Sequence, residues 1–284
     1  MRERPLHTLV PAPLYVVLAI LLLQVGSATA KDIMNPSNAI GLIFLRNLLG
    51  GTVLFAAIRP DITSLTRRQW INAVGLGATL AILNSTGYLA LNRIPLGMVM
   101  TIGFLGPLMV SLVGARRPIE FLWPVLGFAG VLLLTPVAGG SDLDPLGVAL
   151  ACGFAVAWGT YILLSARSAR TTPGLSGFCL AMCISALLTA PFAAASVGDF
   201  LVSARMVGSV LMVALFGTLP FALEFIALKR VSPAVFGVLL STEPALASVV
   251  GMIMLGEVLS GGGWTALVMV SVAALGSTLT ARRN

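Results

Sequence analysis

The sequence predicts an all-α membrane protein of ten transmembrane helices, arranged as two inverted five-helix repeats. Three observations carry this prediction: long apolar runs follow one another with short breaks, basic residues concentrate in alternate breaks, and one stretch of the chain matches a later one. Of the 284 residues, 58% are hydrophobic and 10% are charged. A soluble domain has about 25% charged residues, so the composition excludes a soluble fold.

The apolar runs are about 20 residues long, which is enough for a helix to cross a hydrocarbon core about 30 Å thick. The predicted spans are residues 13–30, 38–58, 70–91, 95–115, 119–137, 145–166, 173–197, 206–228, 232–256 and 259–281. The breaks hold turn-forming residues, as in Arg59-Pro60-Asp61 and Arg116-Arg117-Pro118. Ten spans fill the chain and leave no room for a soluble domain.

The first apolar run has a second interpretation. Arg2 and Arg4 precede the run Leu14–Leu23, and the small residues Ala28-Thr29-Ala30 follow it. This order also fits a cleavable signal peptide. Without the first run, however, four spans would remain to match five in the repeat described below. We therefore expect this run to be the first transmembrane helix.

The basic residues are distributed unequally between the two sides of the membrane. Breaks after odd-numbered spans hold Lys31, Arg93 and Arg205. The termini and the breaks after even-numbered spans hold Arg2, Arg4, Arg59, Arg67, Arg68, Arg116, Arg117, Arg167, Arg170, Lys229, Arg230, Arg282 and Arg283. Loops that stay in the cytoplasm carry an excess of Lys and Arg. We therefore predict a multi-pass protein of the inner (cytoplasmic) membrane with both termini in the cytoplasm.

An internal repeat appears when the chain is shifted by 137 residues. Tyr88–Gly114 then aligns with Phe225–Gly251 without a gap. The identical pairs are Ala90/Ala227, Leu91/Leu228, Arg93/Arg230, Pro107/Pro244, Ser111/Ser248, Val113/Val250 and Gly114/Gly251. The match places span 4 on span 9, so residues 1–140 form the first predicted repeat and residues 141–284 the second. Because five is an odd number, the second repeat enters the membrane in the opposite orientation, a plan common in secondary transporters.

The two prolines that pair in this repeat are predicted to kink their helices. Pro107 lies in span 4 and Pro244 in span 9. Proline removes a backbone hydrogen bond within a helix and bends it. Irregular backbone at membrane depth is tolerated where it lines a cavity. The kink at Pro244 is therefore either purely structural or part of the wall of a cavity.

Few polar side chains lie in or at the ends of the predicted spans, and those few are the candidate binding residues. They are Gln24, Lys31, Arg46, Asn84, Tyr88, Trp158, Tyr161, Glu224 and Glu243. A charge at the centre of the bilayer costs about 2.5–3.5 kcal/mol on insertion scales, so it needs a partner and indicates a functional site.

The ionisable candidates each have a functional and a structural interpretation. Glu224 and Glu243 are candidates for proton coupling, since a carboxyl group in hydrocarbon is protonated more readily and can exchange its proton. Arg46 is either a binding group or the structural partner of one of these glutamates. Lys31 is either a binding group or extends to the membrane surface. Trp158 and Tyr161 are three residues apart and share a helix face, which points either to the cavity or to lipid.

The same inventory argues against an enzyme and against nucleic-acid binding. The sole histidine is His7, in the N-terminal tail, and no aspartate lies within a predicted span. A His-based triad, an aspartyl dyad and a His-rich metal site are therefore excluded. Three cysteines without a second Cys/His pair predict no metal. No cofactor is expected, and the basic residues are too scattered to bind nucleic acid.

Several segments together carry a family resemblance. They are Gly106-Pro-Leu-Met-Val through Arg116-Arg117-Pro118, Trp158-Gly-Thr-Tyr161-Ile-Leu, Leu219-Pro-Phe-Ala-Leu-Glu224-Phe-Ile-Ala-Leu, Glu243-Pro244-Ala-Leu-Ala with Leu255-Gly256-Glu257, and Gly276-Ser-Thr-Leu-Thr280. These segments resemble the drug/metabolite transporter superfamily (EamA-type), and within it the bacterial threonine/homoserine exporters. The resemblance covers nearly the whole chain. In the exporters a glutamate precedes the Gly-Pro of the fourth span, and this chain has Gly103 there. A coupling role for that carboxylate therefore does not carry over.

The resemblance implies a secondary transporter that exports small amino acids by proton antiport. A zwitterionic amino acid needs an anion for its ammonium group and a cation for its carboxylate. Glu243 or Glu224 would supply the anion and Arg46 or Lys31 the cation. Asn84 and Gln24 would bind a side-chain hydroxyl. The alternatives are transport of another small metabolite or drug, or import, and the expected state is a monomer or homodimer in the lipid bilayer.

Overall fold

The computed structural model describes residues 12–111, 117–133, 143–172, 175–228 and 239–281, and within these ranges it contains helices and no β-strand. The helices are α1 (Ala12–Ile33), α2 (Ala39–Ile58), α3 (Arg67–Leu91), α4 (Leu96–Gly103), α5 (Leu105–Ser111), α6 (Pro118–Leu132), α7 (Pro145–Thr171), α8 (Ser176–Ala193), α9 (Ala204–Leu228), α10 (Glu243–Leu255) and α11 (Gly261–Ala281), with a short 3-10 helix at Val197–Phe200. The all-helical prediction is confirmed for these residues.

Six of the helices in these ranges, α1, α2, α3, α7, α8 and α11, are long and apolar enough to cross a membrane. The segments Leu96–Val110, Pro118–Leu132, Ala204–Pro220 and Glu243–Leu255 are apolar but shorter. Each predicted span overlaps at least one described helix. The total of ten spans and the inverted repeat stay predictions.

Local sequence signals determine where several helices begin. At α3, the Thr66 hydroxyl accepts a hydrogen bond from the Gln69 backbone N–H, and the Gln69 side chain accepts one from the Thr66 N–H. This reciprocal capping box satisfies two N–H groups that have no partner within the helix. At α7, the Asp144 carboxylate accepts from the Leu146 N–H, and Pro145 occupies the first turn. Proline fits there because its missing N–H is not needed.

The two predicted kink prolines lie just after breaks in the helical backbone. A turn at Phe104 separates α4 from α5, and Pro107 is the third residue of α5. A turn at residues 241–242 precedes α10, and Pro244 is its second residue. The predicted span 232–256 is therefore not one continuous helix: α10 begins only at Glu243, and residues 229–238 lie outside the described part of the chain.

The helices of the two predicted halves pack closely against each other. Helix α1 contacts α9 and α10, α2 contacts α8 and α9, α3 contacts α7 and α8, and α4 contacts α7 and α10. At the α4–α10 contact, a Cβ built on Gly97 would lie 2.9 Å from the Cα of Ser248. Helices in lipid associate through van der Waals packing, which small residues permit at short distance.

Candidate functional site

A cavity of about 460 Å³ lies between helices of both predicted halves. Residues of α1, α2, α3, α4, α5, α7, α8, α9 and α10 line it. This volume is within the range of small-molecule binding sites, which are mostly apolar with a few polar groups. Six of the nine predicted binding residues line this cavity: Arg46, Asn84, Tyr88, Trp158, Tyr161 and Glu243.

Arg46 is held in the cavity wall by neutral groups. Its Nη1 donates to Oδ1 of Asn84 at 2.6 Å, and its Nη2 donates to the carbonyl oxygen of Gly217 at 3.3 Å. The guanidinium lies 5.6 Å from the centre of the Tyr88 ring, at cation–π distance. The side chain is buried, with 8% of the residue exposed, and its Nε has no hydrogen-bond partner among the described residues.

Glycine at position 217 makes room for this arginine. A Cβ built on Gly217 would lie 2.8 Å from Cζ of Arg46. Among the described side chains, Arg46 forms no salt bridge with a carboxylate. Its charge is therefore compensated by an amide, a carbonyl and an aromatic face, and the side chain lines the cavity without a carboxylate partner among the described residues.

A chain of buried amides positions Asn84. Its Nδ2 donates to Oδ1 of Asn47 at 3.3 Å, and Nδ2 of Asn47 donates to the Ser185 hydroxyl at 2.9 Å. Each amide thus accepts through its oxygen and donates through its nitrogen, which fixes the orientation of both. Asn47 and Ser185 were not among the predicted site residues. Asn47 had a detectable signal, because it is a second polar residue next to Arg46 in an apolar span.

Glu243 is the buried acid of the cavity, with 2% of the residue exposed. The Gln24 side-chain amide donates to its Oε1 at 3.3 Å, so Gln24 acts on the cavity through this glutamate. Glu243 is also the first residue of α10, where the positive end of the helix dipole favours a carboxylate. Glu224 belongs to α9, but its side chain lies outside what the structure describes.

Lys31 lies away from the cavity, in a network at one end of the helix bundle. Its Nζ is 2.7 Å from Oε1 of Glu257 and donates to the carbonyl oxygen of Ile94, also at 2.7 Å. The other oxygen of Glu257 accepts from the N–H of Leu96 at 2.8 Å. The network joins the end of α1 and the start of α4 to the segment after α10. It connects the two predicted halves.

A second ion pair connects the same end of the bundle. Nη1 of Arg93 lies 2.6 Å from Oδ2 of Asp144, and the pair links the end of α3 to the start of α7. The hydrogen bond from Arg93, together with the Leu146 N–H, lowers the pKa of Asp144 below its ordinary value. This end of the bundle is the one that the charge distribution predicts to face outside.

Aromatic side chains form another part of the cavity wall. The Trp158 ring centre is 5.4 Å from that of Phe154 and 5.7 Å from that of Phe104, in a nearly perpendicular arrangement with Phe104. The Phe154 ring packs against Gly103, where a Cβ would lie 2.7 Å from Cδ1 of the ring. A larger side chain at position 103 would therefore collide with the Phe154 ring unless that ring moved.

Comparison with known proteins identifies the family. The model of the EamA-like transporter family matches residues 145–279. The threonine/homoserine exporter RhtA of Salmonella typhimurium (strain LT2) is 37% identical over 273 residues, which are 95% of this chain and 92% of that protein. The chain belongs to the EamA-like transporter family.

Further relatives agree with this membership. RhtA of Escherichia coli (strain K12) is 36% identical to this EamA-like transporter over 96% of the chain and 94% of its own length. The uncharacterized transporter YwfM of Bacillus subtilis is 27% identical over 88% of each chain. A solved crystal structure that is 24% identical covers 96% of this chain and 98% of its own, with a TM-score of 0.62, and supports the fold alone.

Membership confirms the resemblance found in the sequence. This EamA-like transporter is a multi-pass membrane protein that carries a small-molecule substrate. The relatives are transporters, which also confirms the prediction that the chain is not an enzyme.

Proposed function

We propose that this protein is a secondary active transporter of the cytoplasmic membrane that exports small amino acids, of the threonine or homoserine type, in exchange for protons. It spans the membrane ten times, as two inverted repeats of residues 1–140 and 141–284, with both termini in the cytoplasm. The observation that carries the proposal is one cavity lined by a buried glutamate and by a buried arginine that forms no salt bridge with a described carboxylate.

The two ionic side chains suit the two charges of an amino acid. Arg46 lines the cavity and forms no salt bridge with a described carboxylate. A substrate carboxylate would be its ionic partner, and charge-assisted hydrogen bonds of this kind are among the strongest in proteins. Glu243 would bind the ammonium group, and Gln24 would hold the Glu243 carboxylate in place.

The same glutamate serves as the proton carrier. A carboxylate can bind either an ammonium group or a proton, but not both, so Glu243 would load substrate when ionised and release it when protonated. Exchange between these two states couples proton entry to substrate exit. Glu224 was also predicted from the sequence to carry the proton. Its side chain lies outside what the structure describes, so it stays a second candidate for this role.

The relatives support the substrate class. The RhtA proteins of Salmonella typhimurium and Escherichia coli are named threonine/homoserine exporters, and the chain matches them over nearly its full length. The second candidate function is transport of another small metabolite or drug by the same fold. The favouring observation is the large apolar and aromatic share of the cavity wall, which includes Leu80, Leu83, Phe104, Phe154, Trp158 and Met182.

Replacement of Glu243 by glutamine tests the coupling. Glutamine has the same shape and keeps a hydrogen-bonding oxygen, but it cannot exchange a proton. In proteoliposomes loaded with radiolabelled threonine, we expect the wild type to accelerate efflux under an imposed pH gradient. We expect Glu243→Gln to lose that acceleration.

The matched control is Glu120→Gln, which changes a buried glutamate at the start of α6 that does not line the cavity. It should retain coupled efflux. If Glu243→Gln keeps the full pH dependence, Glu243 is not the proton carrier. If the wild type moves neither threonine nor homoserine, the proposed substrate class is wrong.

A further inference from the structure

We propose that Phe104, Phe154 and Trp158 form the subsite for the substrate's side chain, and that Phe154 sets how long an apolar side chain this subsite holds. These three residues are called the aromatic wall below. The inference rests on the proposed function, because it assumes an amino acid whose charged groups are bound by Arg46 and Glu243. It adds a subsite for the apolar part of the substrate's side chain, whereas Asn84 and Gln24 were assigned only to a side-chain hydroxyl.

The charged side chains of the cavity and the rings of Phe154 and Trp158 lie on different helices. Arg46 and Asn84 are on α2 and α3, and Glu243 begins α10. Phe154 and Trp158 are on α7, which packs against α3, α4 and α5. An amino acid bound by its charged groups on α2 and α10 would therefore direct its side chain toward α7.

Two glycines fix the Phe154 ring. A Cβ on Gly103 would lie 2.7 Å from one edge of the ring, and a Cβ on Gly87 would lie 2.9 Å from Cδ2 on the other. Trp158 packs on the same ring at 5.4 Å. Because the backbones of Gly87 and Gly103 and the Trp158 ring all pack closely around it, the Phe154 ring has little room to move away from a longer substrate. The distance to Phe154 should therefore limit the length of the substrate's side chain.

The wild-type protein provides the first test. Alanine, 2-aminobutyrate, norvaline and norleucine differ by one methylene each, and all four would compete for radiolabelled threonine on the purified transporter in detergent. Each methylene buried in an apolar subsite should strengthen competition about fourfold. We expect this gain to continue until the side chain reaches the aromatic wall and then to stop or reverse.

Two variants should then change, in opposite directions, the side-chain length at which the gain stops. Phe154→Leu shortens the wall, so the limit should shift by at least one methylene, and norleucine should gain about tenfold or more relative to 2-aminobutyrate. Gly103→Ala adds a methyl group against the ring, so the limit should shift toward shorter side chains. The matched control is Phe192→Leu, on α8, at a residue that is 75% exposed; it should leave the series unchanged.

The outcomes separate this inference from the proposed function. If threonine binds but the wild-type series shows no gain per methylene, the aromatic wall is not the side-chain subsite. If Phe154→Leu leaves the longest side chain that still gains affinity unchanged, Phe154 does not set the length of the subsite. The same conclusion follows if Phe192→Leu changes that length as much as Phe154→Leu does. If Phe154→Leu does not fold, the wild-type series and Gly103→Ala decide in its place. If no amino acid competes or binds, the proposed function fails and this inference fails with it.

Discussion

Replacement of Arg46 by glutamine distinguishes a binding residue from a structural one. A structural arginine would be paired with a buried carboxylate, and its removal would leave that charge uncompensated at about 3–5 kcal/mol. The structure instead shows Arg46 with Asn84, the Gly217 carbonyl and the Tyr88 ring. The expected effect on stability is therefore small and the effect on binding large.

Arg46→Gln removes both stabilising and destabilising contributions to the free energy of unfolding, and these partly cancel. The substitution removes the two hydrogen bonds that the charged Arg46 donates, each worth about 1.5–3 kcal/mol, and a cation–π contact of about 0.5–2 kcal/mol. These losses lower the free energy of unfolding. The substitution also removes a buried charge, whose desolvation penalty is several kcal/mol. Glutamine itself can still donate to Asn84. We expect the free energy of unfolding to change by no more than about 2 kcal/mol.

The change in affinity follows from the loss of the substrate's cationic partner. Removing one member of a buried, hydrogen-bonded charge pair at a binding site costs about 2–5 kcal/mol. At 1.4 kcal/mol for each tenfold change, threonine should bind about 30-fold to 1,000-fold or more weakly to Arg46→Gln.

Two measurements on the purified variant check both values. Thermal unfolding in detergent reports stability, and binding of radiolabelled threonine reports affinity. Arg68→Gln is the matched control, since Arg68 is exposed at the start of α3. Threonine binding within threefold of the wild type would refute the assignment of Arg46. Severe instability that is rescued by an added Glu224→Gln or Glu243→Gln change would equally refute it, because it would show a structural ion pair.

Two further predictions concern the architecture. A reporter that is active only outside the cytoplasm should stay inactive when it is fused after Asn284, and an active fusion would contradict the proposed orientation. Lys31→Glu places two carboxylates together at Glu257 and should lower the unfolding temperature. The double variant Lys31→Glu/Glu257→Lys should recover part of the loss, since it restores the ion pair but not the hydrogen bonds to the Ile94 carbonyl and the Leu96 N–H; no recovery at all would show that the ion pair does not stabilise the contact between the halves.

The helices and their membrane location could be predicted from the sequence because these properties are local. An apolar run of about 20 residues favours a membrane helix wherever its neighbours lie. The capping residues Thr66 and Asp144 act on N–H groups only two or three residues away. For the same reason, the rarity of polar residues in apolar runs was enough to find Arg46, Asn84 and Glu243.

Only the tertiary structure decided which of these side chains meet. Gln24 contacts Glu243 across 219 residues of chain, and Lys31 contacts Glu257 across 226. Lys31 and Glu243 thus had the same sequence signal, yet one lies in an ion pair at the end of the bundle and the other lines the cavity. The face that each helix turns toward its neighbours depends on packing between distant segments, and a single sequence holds no local signal for it.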